Sequence, residues 1–304
     1  MKRGLVAATS AAILLGASMI WKQFVAPRPE TTVAHAAFDK FGRLAAYPGK
    51  EKAACPQQSA RTAVVFAIGQ SNIGNFGAAR LSTAHGARVV NFFDGACWIA
   101  GSPLYGADQT LGEALTPLGD RLIETGAADS VVLAVASIGG RTIADFARGP
   151  LRPMLDDAIT SLGARYRPTA IIWHQGESDL GLSTSPKDYR RDFDTIVARL
   201  QKQWPSAPVF VSIATKCLPI LRDWRADNSI AMAQRQLVDP ARGVFAGVDT
   251  DALFADGDRS DECHMARSGQ EKFASAYAAL IARMMAAKGQ SSVEPFNASA
   301  SPAR

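Results

Sequence analysis

The run Thr62-Ala63-Val64-Val65-Phe66-Ala67-Ile68, TAVVFAI (62–68), is apolar without interruption and gives way to Gly69-Gln70-Ser71-Asn72. A strand with one wet face alternates apolar and polar residues, whereas a strand covered on both faces reads as a continuous Val/Ile/Phe run. This segment therefore predicts a strand buried between two layers. Five more runs share its character: ARVVNFF (87–93), SVVLAVAS (130–137), TAIIWH (169–174), PVFVSIA (208–214) and GVFAGVD (243–249). Helical spacing fills most of the gaps, through Leu111, Leu115, Leu118 and Leu122, then Tyr189, Phe193, Ile196 and Leu200, then Phe273, Tyr277, Leu280 and Met284. Buried strands alternating with amphipathic helices imply an α/β fold, a three-layer α/β/α sandwich with a central parallel sheet and right-handed crossovers.

The flanks read differently. Lys2 and Arg3 precede an uncharged run from Gly4 to Trp21, the layout of a signal peptide or a short N-terminal membrane anchor over residues 1–26. Residues 27–60, with four prolines and no sustained period, read as a spacer and irregular lead-in, and the small polar segment 288–304 as a disordered tail. The domain is thus expected over 61–287. Export implies an oxidising compartment, in which Cys55, Cys97, Cys217 and Cys263 permit two disulfides. The 304 residues carry a net charge of +5, but the basic residues are scattered without an aromatic-basic block, which argues against a nucleic-acid partner. No Cys/His spacing suggests a metal, and no cofactor motif stands out.

In a parallel α/β sheet chemistry collects beyond the carboxyl ends of the strands. Four segments there are unusual: GQSN (69–72), SIGGRT (137–142), HQGESD (174–179) and DRSDECHMARSG (258–269). Nucleophilic ester hydrolysis needs a hydroxyl, an imidazole, a carboxylate to orient it and donors for an oxyanion. Ser71 supplies the hydroxyl, and His264 the imidazole, with Asp261 three residues before it as the orienting acid and Asp258 as the alternative. Gly139-Gly140 and the Gln175 amide are candidate oxyanion donors, although the glycines also suit a plain turn and Gln175 a loop brace. On its own Ser71 equally suits a turn, since the GxSxG elbow is absent. His174 ends a buried strand and suits packing as well as chemistry. Glu177 and Asp179, two residues apart, are placed poorly for flanking a sugar bond and are read as supports.

Together, Gly69-Gln70-Ser71-Asn72, Gly139-Gly140-Arg141-Thr142, Trp173-His174-Gln175-Gly176-Glu177-Ser178-Asp179 and Asp261-Glu262-Cys263-His264 resemble, in order, the blocks of the SGNH (GDSL-like) hydrolases. The likeness is to their sialate O-acetylesterase-like branch and covers about residues 61 to 285. It implies a flavodoxin-like fold, Ser71 as nucleophile, His264 as base and Asp261 as its partner. It also implies an oxyanion hole from the Ser71 and Gly140 N–H groups and the Gln175 amide, with Gln70, Asn72, Gly139, Glu177 and Asp179 around it. The implied reaction is metal-free removal of O-acetyl groups from an acetylated carbohydrate. Ile73, Arg141 and Met265 depart from the branch, and Arg141 is either a contact for an acidic sugar or solvated. The favoured bridges are Cys217–Cys263, which would stiffen the histidine loop, and Cys55–Cys97. The rival readings are a lipase or thioesterase-like hydrolase and an envelope protein that binds polysaccharide or transfers acetyl groups.

Overall fold

The structure is a computed structural model that describes residues 35–291, with side chains to 287; the leader 1–26 lies outside the described residues. In chain order the strands and helices are β1 Ala37–Phe38, β2 Leu44–Ala46, β3 Lys52–Ala53, β4 Thr62–Gly69, β5 Val89–Phe93, β6 Ala96–Ile99, α1 Leu115–Glu124, β7 Ser130–Ser137, α2 Ile143–Ala147, α3 Arg152–Gly163, β8 Ala170–His174, α4 Glu177–Gly181, α5 Pro186–Gln203, β9 Val209–Ile213, α6 Ser229–Gln236, β10 Val244–Asp249, α7 Thr250–Leu253 and α8 Arg267–Ser291. The main sheet runs β10-β9-β8-β4-β7-β5-β6-β3. Its parallel members, β10 to β5, are the six apolar runs read from the sequence.

β4 shows why the sandwich has three layers. All eight of its residues are buried, and their side chains alternate between two cores. Val64, Phe66 and Ile68 join the core under α3, α5 and α6, with Leu155, Phe193 and Ile196. Ala63, Val65 and Ala67 face α1 and α8, against Leu118, Leu122, Phe273 and Tyr277. The register of β4 aligns the strand ends: Gly69 stands opposite Ser137 of β7 on one side and His174 of β8 on the other.

Three expectations, on Leu111, the lead-in and the tail, need correction, and the parallel sheet gains an extension. Leu111 is not on a helix but half exposed in the approach to α1, because its N–H bonds to Asn75 O and Gly112 pairs with Gly77. The sheet also has antiparallel members, since Asp94-Gly95, both at positive φ, fold β5 back onto β6 in a two-residue hairpin. The lead-in belongs to the domain. Leu44 is fully buried and pairs with Ala107 and Gly106, Arg43 is buried between Asp39 and Asp157, and β3 completes the sheet beside β6. The Cys55–Cys97 disulfide joins the lead-in to β6. Finally, α8 continues through Ser291, since Ala286, Ala287 and Lys288 are good helix formers that carry it past the expected start of the tail. Among the described residues no helix is long and apolar enough to cross a membrane.

If the lead-in is structural, Leu44→Ala should lower unfolding free energy by about 2–5 kcal/mol, as for other fully buried leucines. Chemical denaturation measures this, and a change below about 0.5 kcal/mol would place the lead-in outside the cooperative fold.

Candidate active site

Ser71 is delivered by the end of β4. Gly69 sits at φ 153°, and a side chain there would run into the His174 carbonyl oxygen, so the chain leaves the strand at a point where only glycine fits. The turn is tied by Gln70 N–H to His174 O (3.2 Å) and by Ser137 Oγ donating to Gln70 O (2.9 Å). Ser71 then opens a short 3-10 turn through Ile73 and is only 5 % exposed. The N–H groups of Ser71 and Gly140 meet no protein acceptor among the described residues.

The histidine arrives from the segment before α8. His264 Nδ1 lies 2.7 Å from Asp261 Oδ2, while Asp261 Oδ1 accepts the backbone N–H groups of His264 (2.6 Å) and Cys263 (3.1 Å). Partial burial acts to raise the Asp261 carboxyl, but these hydrogen bonds and the histidine's charge outweigh it and hold the carboxyl below its ordinary value. With Nδ1 committed to the carboxylate, Nε2 is the nitrogen left for chemistry. The face of the ring stacks on Phe76, centroids 5.0 Å apart and planes 22° from parallel. Gly139 presses on the same Phe76 ring, where a side chain would collide. Asp258 has other partners, Lys272 Nζ (2.5 Å) and Ala255 N–H (2.9 Å), which leaves Asp261 as the orienting acid.

No hydrogen bond joins Ser71 to His264; the bonds run between the residues next to them. Asn72 Nδ2 donates to Cys263 O (3.2 Å) and to Glu177 Oε1 (2.8 Å). Arg259 Nη1 donates to the same Cys263 oxygen (2.6 Å), and its Nη2 lies 3.6 Å from Asp251 Oδ1. Asp251 in turn accepts from Thr215 and Lys216, next to Cys217, which is bridged to Cys263. The disulfide and the hydrogen bonds thus converge on Cys263, directly before His264.

The other predicted residues fall around this frame. Gly140, at φ 68°, and the exposed Arg141 lead into α2, which Thr142 and Asp145 cap reciprocally. Asp179 Oδ2 accepts the Ile143 N–H (2.8 Å) and so ties α4 to the start of α2. Gln175 is a correction. Its amide nitrogen faces Gln70 Oε1 (3.1 Å), Arg141 O (3.0 Å) and Asp179 Oδ2 (2.5 Å), which leaves no hydrogen for an oxyanion; it braces three loops instead. Gln70 Oε1 also accepts the Ser178 N–H (3.3 Å). His174 is a packing residue, edge-on to Phe273, and burial, aided by the Arg259 charge, pushes its imidazole down to about 3. Burial likewise raises the Glu177 carboxyl to about 7, against the Asn72 hydrogen bond that favours its charged form.

Sequence reading missed Phe76, Asp108 and Arg259. Phe76 and Asp108 carry no local signal, while Arg259 stands inside the DRSDECH segment, where its burial could not be seen. Asp108 Oδ2 accepts the Gly139 N–H (3.0 Å), and the carboxyl lies within the electrostatic reach of Arg141 and His264.

A family model described as carbohydrate esterase, sialic acid-specific acetylesterase, matches residues 61–283. No curated protein sequence matches the chain significantly. Solved structures similar in fold include a protein from Arabidopsis thaliana (17% identity, TM-score 0.55, covering 72% of this chain and 97% of that one). NanS is similar at 12% identity and TM-score 0.51, over 74% of this chain and 98% of that one. A carbohydrate acetylesterase from Xanthomonas citri is similar at 13% identity and TM-score 0.51, over 74% of this chain and 56% of that one.

The buried Glu177 gives a signed pH test. Its carboxyl is raised from 4.5 to about 7 in the folded chain, so the folded state holds the proton more tightly than the unfolded state. The stability this confers is present below pH 4.5 and is lost as pH rises through about 7. Relative to Glu177→Gln, the wild type should lose about 3 kcal/mol of unfolding free energy across that window. Denaturation at a series of pH values reads the difference, and a flat difference would mean that the site accommodates the ionised carboxylate.

Proposed function

Since the chain belongs to the carbohydrate esterase, sialic acid-specific acetylesterase family, whose members act on carbohydrate acetyl groups, we propose that it is an exported serine esterase that removes O-acetyl groups from an acetylated carbohydrate. The observation that carries this reading is the Asp261–His264 pair at 2.7 Å, on a loop that the Asn72–Cys263 bond ties to the turn carrying Ser71 off the central strand. Ser71 Oγ attacks the acetyl carbonyl carbon as its proton passes to His264 Nε2. Asp261 keeps the ring in the required tautomer and stabilises the imidazolium. The carbonyl oxygen becomes an oxyanion facing the N–H groups of Ser71 and Gly140. His264 then gives this proton to the sugar oxygen as its bond to the acyl carbon breaks; water, deprotonated by the same imidazole, attacks the acyl carbon, and the proton passes to Ser71 Oγ as acetate leaves.

The missing Ser71–His264 hydrogen bond fits an unliganded site, where catalytic contacts are commonly long and tighten around substrate. The exposed Arg141 beside Gly140 is the residue proposed to contact an acidic sugar. Two disulfides support an oxidising destination, in line with the basic, apolar N-terminal segment.

The chain should hydrolyse an aryl acetate, and Ser71→Ala should lower kcat/KM by at least about 1,000-fold with an unchanged unfolding curve. Undiminished activity in that variant would overturn the acyl-enzyme. Acetate release from acetylated polysaccharides should exceed hydrolysis of long-chain acyl esters, and the reverse preference would favour a lipase-like enzyme. Adding an acceptor sugar should leave acetate as the product; acetylated acceptor would instead identify a transferase.

A further inference from the structure

Asp108 is a carboxylate to which the acyl-enzyme mechanism gives no role. It lies in the segment after Gly106, where its own N–H bonds to Ser137 O (3.1 Å) beside the end of β7. One oxygen, Oδ2, holds the Gly139 N–H at 3.0 Å; the other, Oδ1, is shut off from solvent and has no hydrogen-bond partner. A surface acid would have its second oxygen in water, and the buried Asp179 and Asp192 share such an unpartnered oxygen, but Asp108 alone of the three bonds the glycine pair. The charged groups that act on it are Arg141, after the glycine pair, and His264, before α8. The glycine turn is bonded to this carboxylate and packs on Phe76, whose ring stacks on His264, so the turn and the histidine meet around one acid.

We propose that Asp108 is a positioning residue for deacetylation, which fixes the Gly139-Gly140 turn through the Gly139 N–H and, when ionised, stabilises the imidazolium that forms on His264. The inference rests on the esterase reading for its consequence but not for its electrostatics. Proton transfer from Ser71 converts a neutral ring into a cation, and the nearby negative charge lowers the cost of that step. Asp261 grips Nδ1 through a hydrogen bond; Asp108 acts through space, from the oxyanion side. The field of the exposed Arg141 favours its ionised form. Burial raises the Asp108 carboxyl to about 6, against the Gly139 hydrogen bond and the fields of Arg141 and His264, so its ionisation falls inside the working pH range.

Asp108→Asn separates the two roles, because the amide oxygen still accepts from Gly139 while the charge is gone. Its kcat/KM on an aryl acetate near pH 8 should fall about tenfold, mostly in kcat. The low-pH limb of log kcat/KM should carry in the wild type an extra step of about one log unit near pH 6, which the variant should lack. Asp108→Glu should restore part of the rate, whereas a residue with a purely structural role would be rescued by Asn as well. The titration midpoint of the His264 ring, followed by NMR, should move to lower pH in Asp108→Asn. An unmoved midpoint in a folded variant overturns the proposal. Should Ser71→Ala keep full activity while the midpoint still moves, the esterase mechanism fails and the Asp108–His264 coupling stands.

Discussion

The register of three parallel strands governs this molecule. Gly69 at the end of β4 stands level with Ser137 of β7 and His174 of β8, so the segments GQSN, IGGRT and QGESD leave the sheet from one line. A slip of one residue in any ladder would turn every side chain of that strand to the opposite core and shift its loop by about 3.3 Å. Slipping is costly because both faces of β4 are buried. The hydrophobic layers thus set the stagger, and the stagger sets the site. His264 comes from outside this line and is fixed differently, through the Cys263 oxygen held by Asn72 and Arg259 and through the Cys217 bridge.

That division explains which parts are legible in the sequence. Continuous apolar runs mark strands buried on both faces, so all six parallel strands are legible, and with them the edge where chemistry gathers. The antiparallel extension is legible in principle, since Asp94-Gly95 between apolar runs is a strong hairpin signal, but ARVVNFF taken alone ends without its continuation. The burial of the lead-in is not legible, because it comes from long-range partners, Asp157 for Arg43 and Ala107 for Leu44, and only the Cys55–Cys97 bridge hints at it. Ser71, His264 and Asp261 stand out once their segments are read together. The direction of the Gln175 amide depends on Gln70, Arg141 and Asp179, three residues from three segments, and no local pattern encodes it.

The layer beneath the site is polar and closed to water. Glu177, His174, Asp251 and Arg259 are all buried there. Such groups are costly unless they are bonded or neutral, and both solutions occur: Arg259 and Asp251 share bonds and charge, while His174 is held neutral and Glu177 leans toward its protonated form. The layer is bonded only in part, since His174 Nδ1 and Arg259 Nε have no partner, and its rigidity comes from the Arg259, Asp251 and Asn72 bonds that converge on the histidine loop. The His264 loop lies at the surface and takes its support from below.

The two borders of the main sheet differ in a way that bears on the company the molecule keeps. One border is β3, only two residues long, with Lys52 on it and the Cys55–Cys97 bridge close behind. The other is β10, whose pairing with β9 loses register between Ala246 and Asp249. Long, flat, unpaired edges act as templates for strands of other chains, and short, charged or irregular edges do not. The lead-in that looks like a spacer therefore finishes the sheet at a border too brief for a foreign strand to extend, and a sheet this apolar is closed to strand addition at both ends.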